Sequence, residues 1–197
     1  RLSAGDRRRR ETMRLELPRG RRALGVASVE VTHGQREALL VSDRIAIMDC
    51  GRVVQCGRGT EIYAEPATAF VAGFLGDPLL LEGDVVHTHG IRTLHCLGVA
   101  VTVPESVPLG KGVAVMRPER LRLLDPGEPR QHYDNNLPGE ILYSAFDGQG
   151  TFYQVLLDCG PTAAVHVPAA TNAKPHDVGA RVVVAWNAAD VPIVTQG

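Results

Sequence analysis

The sequence predicts a mixed α/β segment over residues 1–76 followed by an all-β domain over residues 77–197. Three observations carry this. Before Gly76, runs rich in β-branched residues alternate with short amphipathic stretches. After it, short apolar runs recur at close spacing without any long helical period. Gly, Pro and Asp punctuate those later runs, as the turns of a small barrel or sandwich require.

Taken in order, residues 3–24 are dense in Arg, Glu and Leu, with Met13, Leu15, Leu17 and Leu24 on part of one helical face. Pro18 lacks a backbone donor and clashes with the preceding turn, at about 3 kcal/mol in a helix interior. A helix here therefore ends or kinks near Leu17. Val26–Thr32 is rich in β-branched residues and reads as a strand running into a polar loop at His33-Gly34. Gln35–Val41 reads as a short helix. Arg44–Asp49 and Arg52–Gln55 read as strands joined at Asp49-Cys50-Gly51, where glycine supports a tight hairpin. Thr60–Ala64 and Thr68–Phe74 read as short helices with Pro66 between them. Beyond Gly76 come Val99–Val103, Val113–Met116, Tyr153–Leu157 and Arg181–Trp186 as strands, and Asp125–Asn136 as a polar loop between β segments.

Composition narrows the function classes. The chain is 44% hydrophobic and 22% charged, as folded domains are, and only 5% aromatic. Its core must rest on Val, Leu, Ile and Ala, and the scarcity of aromatics argues against stacking of bases or sugars. A net charge of -1 argues against nucleic-acid binding by electrostatics. No apolar run approaches the roughly 20 residues that span a bilayer, and no apolar segment follows the Arg-rich start as a signal peptide would need. The four cysteines, Cys50, Cys56, Cys96 and Cys159, form no CxxC pair, which fits free thiols in a cytosolic protein. The opening Arg1-Leu2-Ser3, without Met, leads us to expect a fragment.

One stretch carries a resemblance. Val31-Thr32-His33-Gly34-Gln35-Arg36-Glu37-Ala38-Leu39, then Ser42-Asp43-Arg44-Ile45-Ala46-Ile47-Met48, then Gly51-Arg52-Val53-Val54-Gln55-Cys56-Gly57, keep the order and register of the end of an ABC-importer nucleotide-binding domain. Glu61-Ile62-Tyr63, Pro66, Phe70-Val71-Ala72 and Phe74-Leu75-Gly76 continue the match over about 45 residues in all. The chain thus resembles the ATP-binding subunit of importers for polyamines, sugars, iron or oxyanions. The resemblance implies an α/β remnant of a P-loop ATPase domain over 1–76 and an OB-like transport-associated (TOBE) domain of two short β repeats over 77–197. Met116-Arg117-Pro118-Glu119 resembles an element near the end of the first repeat. Leu137–Ile141 with Asp190-Val191 fits the span of the second.

The same resemblance implies site residues. His33 falls where the family's switch histidine meets the γ-phosphate, making it the catalytic and nucleotide-binding candidate. A ring N–H there can donate to developing negative charge. Gly34 stands where aspartate is usual. Leu2-Ser3-Ala4-Gly5-Asp6, some 30 residues upstream, resembles a degraded S-A-L-D loop, so Ser3 and Asp6 are candidates at a dimer interface. ATP hydrolysis is mostly positioning and charge stabilisation, and its cradle is G-x-x-x-x-G-K-[ST]. The only Gly-Lys pair is Gly110-Lys111, with Gly112 next and Glu105 in the first glycine position, so the motif is absent. The signature loop and the catalytic glutamate are not found either. His87, His89, His95 and Cys96 match no closed zinc spacing, and no metal site is expected. The run Arg7–Arg10 reads as a solvated face.

The function expected is therefore that of a C-terminal fragment of an ABC-importer ATP-binding subunit, of spermidine/putrescine type. ATP and Mg2+ belong to the complete family member, and the fragment alone is expected not to bind ATP normally. The implied partners are a second ATP-binding subunit in a homodimer and membrane-spanning permease subunits, with a cytoplasmic location on the inner face of the membrane. The rival expectations are a non-enzymatic OB-type ligand-binding or regulatory module and a truncated product without function.

Overall fold

The computed structural model describes residues 24–169 and 175–196, and the chain divides into two compact units between Pro66 and Ala67. Residues 1–23, which hold the predicted N-terminal helix, Ser3 and Asp6, lie outside the described residues. No helix among the described residues is long and apolar enough to cross a membrane.

In the first unit, α1 (Gln35–Val41) is followed by a hairpin of β1 (Ile45–Asp49) and β2 (Arg52–Gly57), then α2 (Gly59–Ala64). The hairpin pairs antiparallel from Ile45↔Gly57 to Asp49↔Arg52, with an irregularity between Ile47 and Met48. Its turn residues, Cys50 (φ 45) and Gly51 (φ 77), both take positive φ. That geometry matches the twist of two-residue hairpins and is why glycine stands at position 51. Val41, Ile45, Ile47 and Ile62 are the buried apolar residues. A Cβ at Gly59 would lie 2.8 Å from Leu39 Cδ2, so α2 begins in close contact with α1. Glu61 accepts the Arg58 N–H at 3.0 Å, one arm of a capping box that starts α2.

Val26–Thr32 is not a strand. It joins no sheet, and Val26, Val29 and Val31 are 57%, 95% and 97% exposed. β-branched residues suit a pleated, half-buried surface, and none of the described residues supplies a strand beside this one. The α/β remnant of a P-loop ATPase domain expected for residues 1–76 is therefore not seen in the described residues, which make only the short helices and the antiparallel hairpin.

The second unit opens with α3 (Ala69–Phe74). Ten strands follow: β3 (Leu79–Thr88), β4 (Ile91–Cys96), β5 (Val99–Thr102), β6 (Gly110–Met116), β7 (Arg122–Leu124), β8 (Asn135–Phe146), β9 (Gly150–Leu157), β10 (Thr162–Pro168), β11 (Arg181–Trp186) and β12 (Ile193–Val194). They form two five-stranded sheets, β12-β6-β3-β4-β5 and β10-β9-β8-β11-β7. The topology repeats. In each sheet a four-strand meander folds back so that its last strand, β6 or β11, pairs with its first, β3 or β8. The strand after each meander then leaves for the other sheet: β7 pairs with β11, and β12 pairs with β6.

The inner faces of both sheets share one core that includes Leu81, Leu94, Met116, Ile141, Tyr153, Val155 and Trp186. β6 and β11 are buried on their outer faces as well. Ala69 and Ala72 of α3 cover Val113, Val115 and Val194, and Tyr133 packs against Leu124, Val183 and Ala185. The edge strands are partly closed. His166 N–H of β10 donates to the Pro118 carbonyl at 3.2 Å. The Asn135 side chain accepts from Thr102 N–H at 2.7 Å and donates to the Thr102 carbonyl at 2.9 Å, in the manner of a neighbouring strand. The expected loop 125–136 ends at Asp134, because Asn135 already belongs to β8.

Two outcomes follow from this packing. The amides of Val29 and Val31 exchange with solvent at rates near those of unstructured chain, measured by hydrogen exchange beside the strongly protected β3 and β9. At Gly139, an added Cβ would stand 2.6 Å from the Leu156 carbonyl oxygen and 2.8 Å from Val155 Cγ1. Gly139→Ala therefore lowers unfolding free energy by about 1–3 kcal/mol, the usual range for overpacking, read from urea titrations followed by circular dichroism.

Candidate functional site

His33 sits between the extended segment Val26–Thr32 and α1, with its side chain exposed to solvent. The loop around it is shaped locally. Thr32 Oγ1 accepts the Gly34 N–H at 2.9 Å. No side chain caps α1, whose N-cap residue is Gly34. A Cβ at Gly34 would lie 3.0 Å from Glu37 Oε2. That oxygen is the far end of a flexible side chain, which can move aside. The described residues bring no other sequence-predicted site residue to His33, since Ser3 and Asp6 lie outside them.

The sequence reading did not single out a second locus. Asp43, Arg44, Cys56, Gly57, Arg58 and Glu61 line an open cavity of about 360 Å³ in the first unit. The hairpin creates it by returning the chain, so that Cys56 pairs with Ala46 and its thiol faces Arg44, with 3.8 Å from guanidinium nitrogen to Sγ. Two arginines and two carboxylates leave it without net formal charge. No local spacing signals it, because its two halves are brought together only by strand pairing.

The element Arg117-Pro118-Glu119 turns out to be a junction. Arg117 is 5% exposed, and its guanidinium donates to the carbonyls of Ala72 at 2.9 Å and Leu75 at 2.7 Å, at the end of α3. Arg120 pairs with Asp190 at 2.9 Å, joining the link after β6 to the link after β11. Asp134 accepts the Ala188 N–H of that second link at 2.8 Å. The motif is thus recognisable in the sequence, while its role is fixed only by tertiary contacts.

The histidines of the first repeat are dispersed. His87 lies 4.0 Å from Glu105, His95 faces Thr93 at 3.1 Å, and His89 occupies a left-handed turn (φ 54). Cys96 is buried in the core, where desolvation pushes its thiol pKa up. Among the described residues no group of three His, Cys, Asp or Glu side chains is placed to hold a metal ion. Gly110-Lys111 lies in β6 with Lys111 opposite Asp84, so this Gly-Lys pair is strand and not a phosphate loop.

Comparison with known proteins adds ancestry to this geometry. The TOBE domain family matches residues 114–193. The chain is 43% identical over 127 residues to the spermidine/putrescine import ATP-binding protein PotA of Acidothermus cellulolyticus, covering 62% of this chain and 33% of that protein. For the protein of the same name in Ruegeria pomeroyi the values are 38% over 162 residues, 81% and 43%. For that of Rubrobacter xylanophilus they are 35% over 194 residues, 95% and 50%. The chain thus spans between a third and a half of the length of these relatives. A solved structure of the cytoplasmic molybdate-binding protein ModG, with molybdate bound, aligns over 59% of this chain and 95% of its own, with a TM-score of 0.49 and 16% identity. Over the part of their length that it spans, the chain is similar to spermidine/putrescine import ATP-binding proteins, and residues 114–193 match the TOBE domain family.

Proposed function

We propose that the chain is the C-terminal portion of an ABC-importer ATP-binding subunit of the spermidine/putrescine type, whose complete form couples ATP hydrolysis to transport. The observation that carries this reading is the continuity of the match. One spermidine/putrescine relative is 35% identical over 194 residues, which takes in both compact units. In this reading residues 1–76 derive from the end of a P-loop nucleotide-binding domain, and residues 77–197 are the OB-like TOBE domain. Ser3 and Asp6 belong to the loop facing a second ATP-binding subunit in a homodimer. The permease subunits hold the assembly at the inner face of the membrane.

The residues present do not by themselves hold ATP. His33 offers one exposed ring donor. The backbone cradle and lysine that grip phosphates are not in this sequence, and Lys111 is committed to a strand. His33 is the switch histidine in this reading: its imidazole N–H donates toward the γ-phosphate, where negative charge gathers. ATP and Mg2+ are then bound only by the complete subunit.

A second reading has support from the β unit itself. With its own closed core and covered edges, residues 67–197 can act as a ligand-binding or regulatory module without nucleotide chemistry.

Two measurements separate the readings. Calorimetric titration of the purified chain with Mg-ATP gives no binding heat up to millimolar nucleotide, and micromolar binding would show that another phosphate cradle exists here. Joined to the N-terminal portion of the Rubrobacter xylanophilus relative, the chain yields a hydrolysing subunit in which His33→Ala lowers turnover about 10²-fold. An active chimera indifferent to His33→Ala would remove the switch assignment, and an inactive but folded chimera would favour the module reading.

A further inference from the structure

Helix α3 has six residues, well below the roughly 12–15 that make a helix even marginal by itself. It persists because both its ends are tied into the β unit. At its start, Thr68 Oγ1 accepts the Val71 N–H at 3.3 Å and Ala69 N–H donates to the Thr195 carbonyl at 2.9 Å, beside β12. Along its length, Ala69 and Ala72 pack on Val113, Val115 and Val194. At its end, the Arg117 guanidinium holds the Ala72 and Leu75 carbonyls.

This last tie differs in kind from the others. Arg117 is always charged and 5% exposed. A buried cation is costly unless its donors are satisfied. The last carbonyls of a helix lack intrahelical partners and carry the negative end of its dipole. Arg117 Nη1 thus satisfies two carbonyls at this helix end. Arg117 also stands where both sheets converge. It follows Met116, the last residue of β6 in one sheet, and precedes Pro118, whose carbonyl accepts from His166 of the other.

We propose that Arg117 is a latch: it fastens α3 to the junction of the two sheets, so that α3 stays folded on the β unit only while that tie is made. Arg117 is a positioning residue in this account. The proposal goes beyond the importer reading and does not need it.

The test is hydrogen exchange by mass spectrometry on the full chain, comparing the wild type with Arg117→Ala and Arg117→Lys. Arg117→Ala raises exchange of the peptide spanning 69–76 about tenfold or more. Peptides from β3 and β9 keep wild-type protection. Both carbonyls take their bond from Nη1, so Arg117→Lys, which keeps the charge and several donors on a shorter side chain, gives a smaller rise in the same peptide. Unchanged protection at 69–76 would overturn the latch. So would an equal rise across 69–76, β3 and β9, because Arg117 would then hold the unit as a whole and not the helix.

Discussion

The exchange of one strand between two sheets of equal topology is the constraint on which the β unit depends. β7 leaves the first meander to pair with β11, and β12 leaves the second to pair with β6. Neither sheet is complete until the other repeat is in place. The two inner faces then close on one core, with Trp186 and Tyr153 as its largest side chains. Burial of this kind is the dominant favourable term in folding, and here it is available only when both repeats fold together. The links that carry the exchanged strands are therefore pinned: Arg120 to Asp190, Asp134 to the Ala188 N–H, and Arg117 to the end of α3. The buried arginine is a consequence of the exchange, since the chain leaving β6 must pass beneath the helix that covers that strand's outer face.

The first unit rests on much less. Its buried apolar residues are Val41, Ile45, Ile47 and Ile62, and Leu24, Val29, Val31, Leu40, Met48 and Val53 are exposed among its described residues. Small assemblies bury too small a fraction of their surface to be robust. The candidate that the importer resemblance implies, His33, lies in this part of the chain. The part whose architecture is self-sufficient is the β unit, of which residues 114–193 match the TOBE domain family.

Much of the fold was legible where the signal is local. Gly51 after Cys50 marked the hairpin, Pro66 separated α2 from α3, and Val113–Met116 and Arg181–Trp186 announced the two strands buried on both faces. The strand exchange was not legible, because Arg122–Leu124 meets Val183–Ala185 across the whole second meander and no periodicity records such a pairing. Val26–Thr32 was misread for the complementary reason: its β-branched residues report willingness to pair, and pairing needs a partner. The exposure of His33 and the approach of Glu37 to Gly34 were not legible, because both depend on how the chain turns into α1. The cavity at Arg44 and Cys56 was invisible in sequence, since the hairpin register alone creates it.

The most direct test of this account follows unfolding of the β unit in denaturant by two independent probes. One is the fluorescence of Trp186, the single tryptophan of the chain, which lies in the sheet containing β11. The other is native-state exchange of the Leu81 amide, in the sheet containing β3. If strand exchange makes each sheet depend on the other, both probes give one midpoint and one opening free energy. If Leu81 loses protection at a separate midpoint while Trp186 remains buried, the sheets are independent and the central claim is wrong.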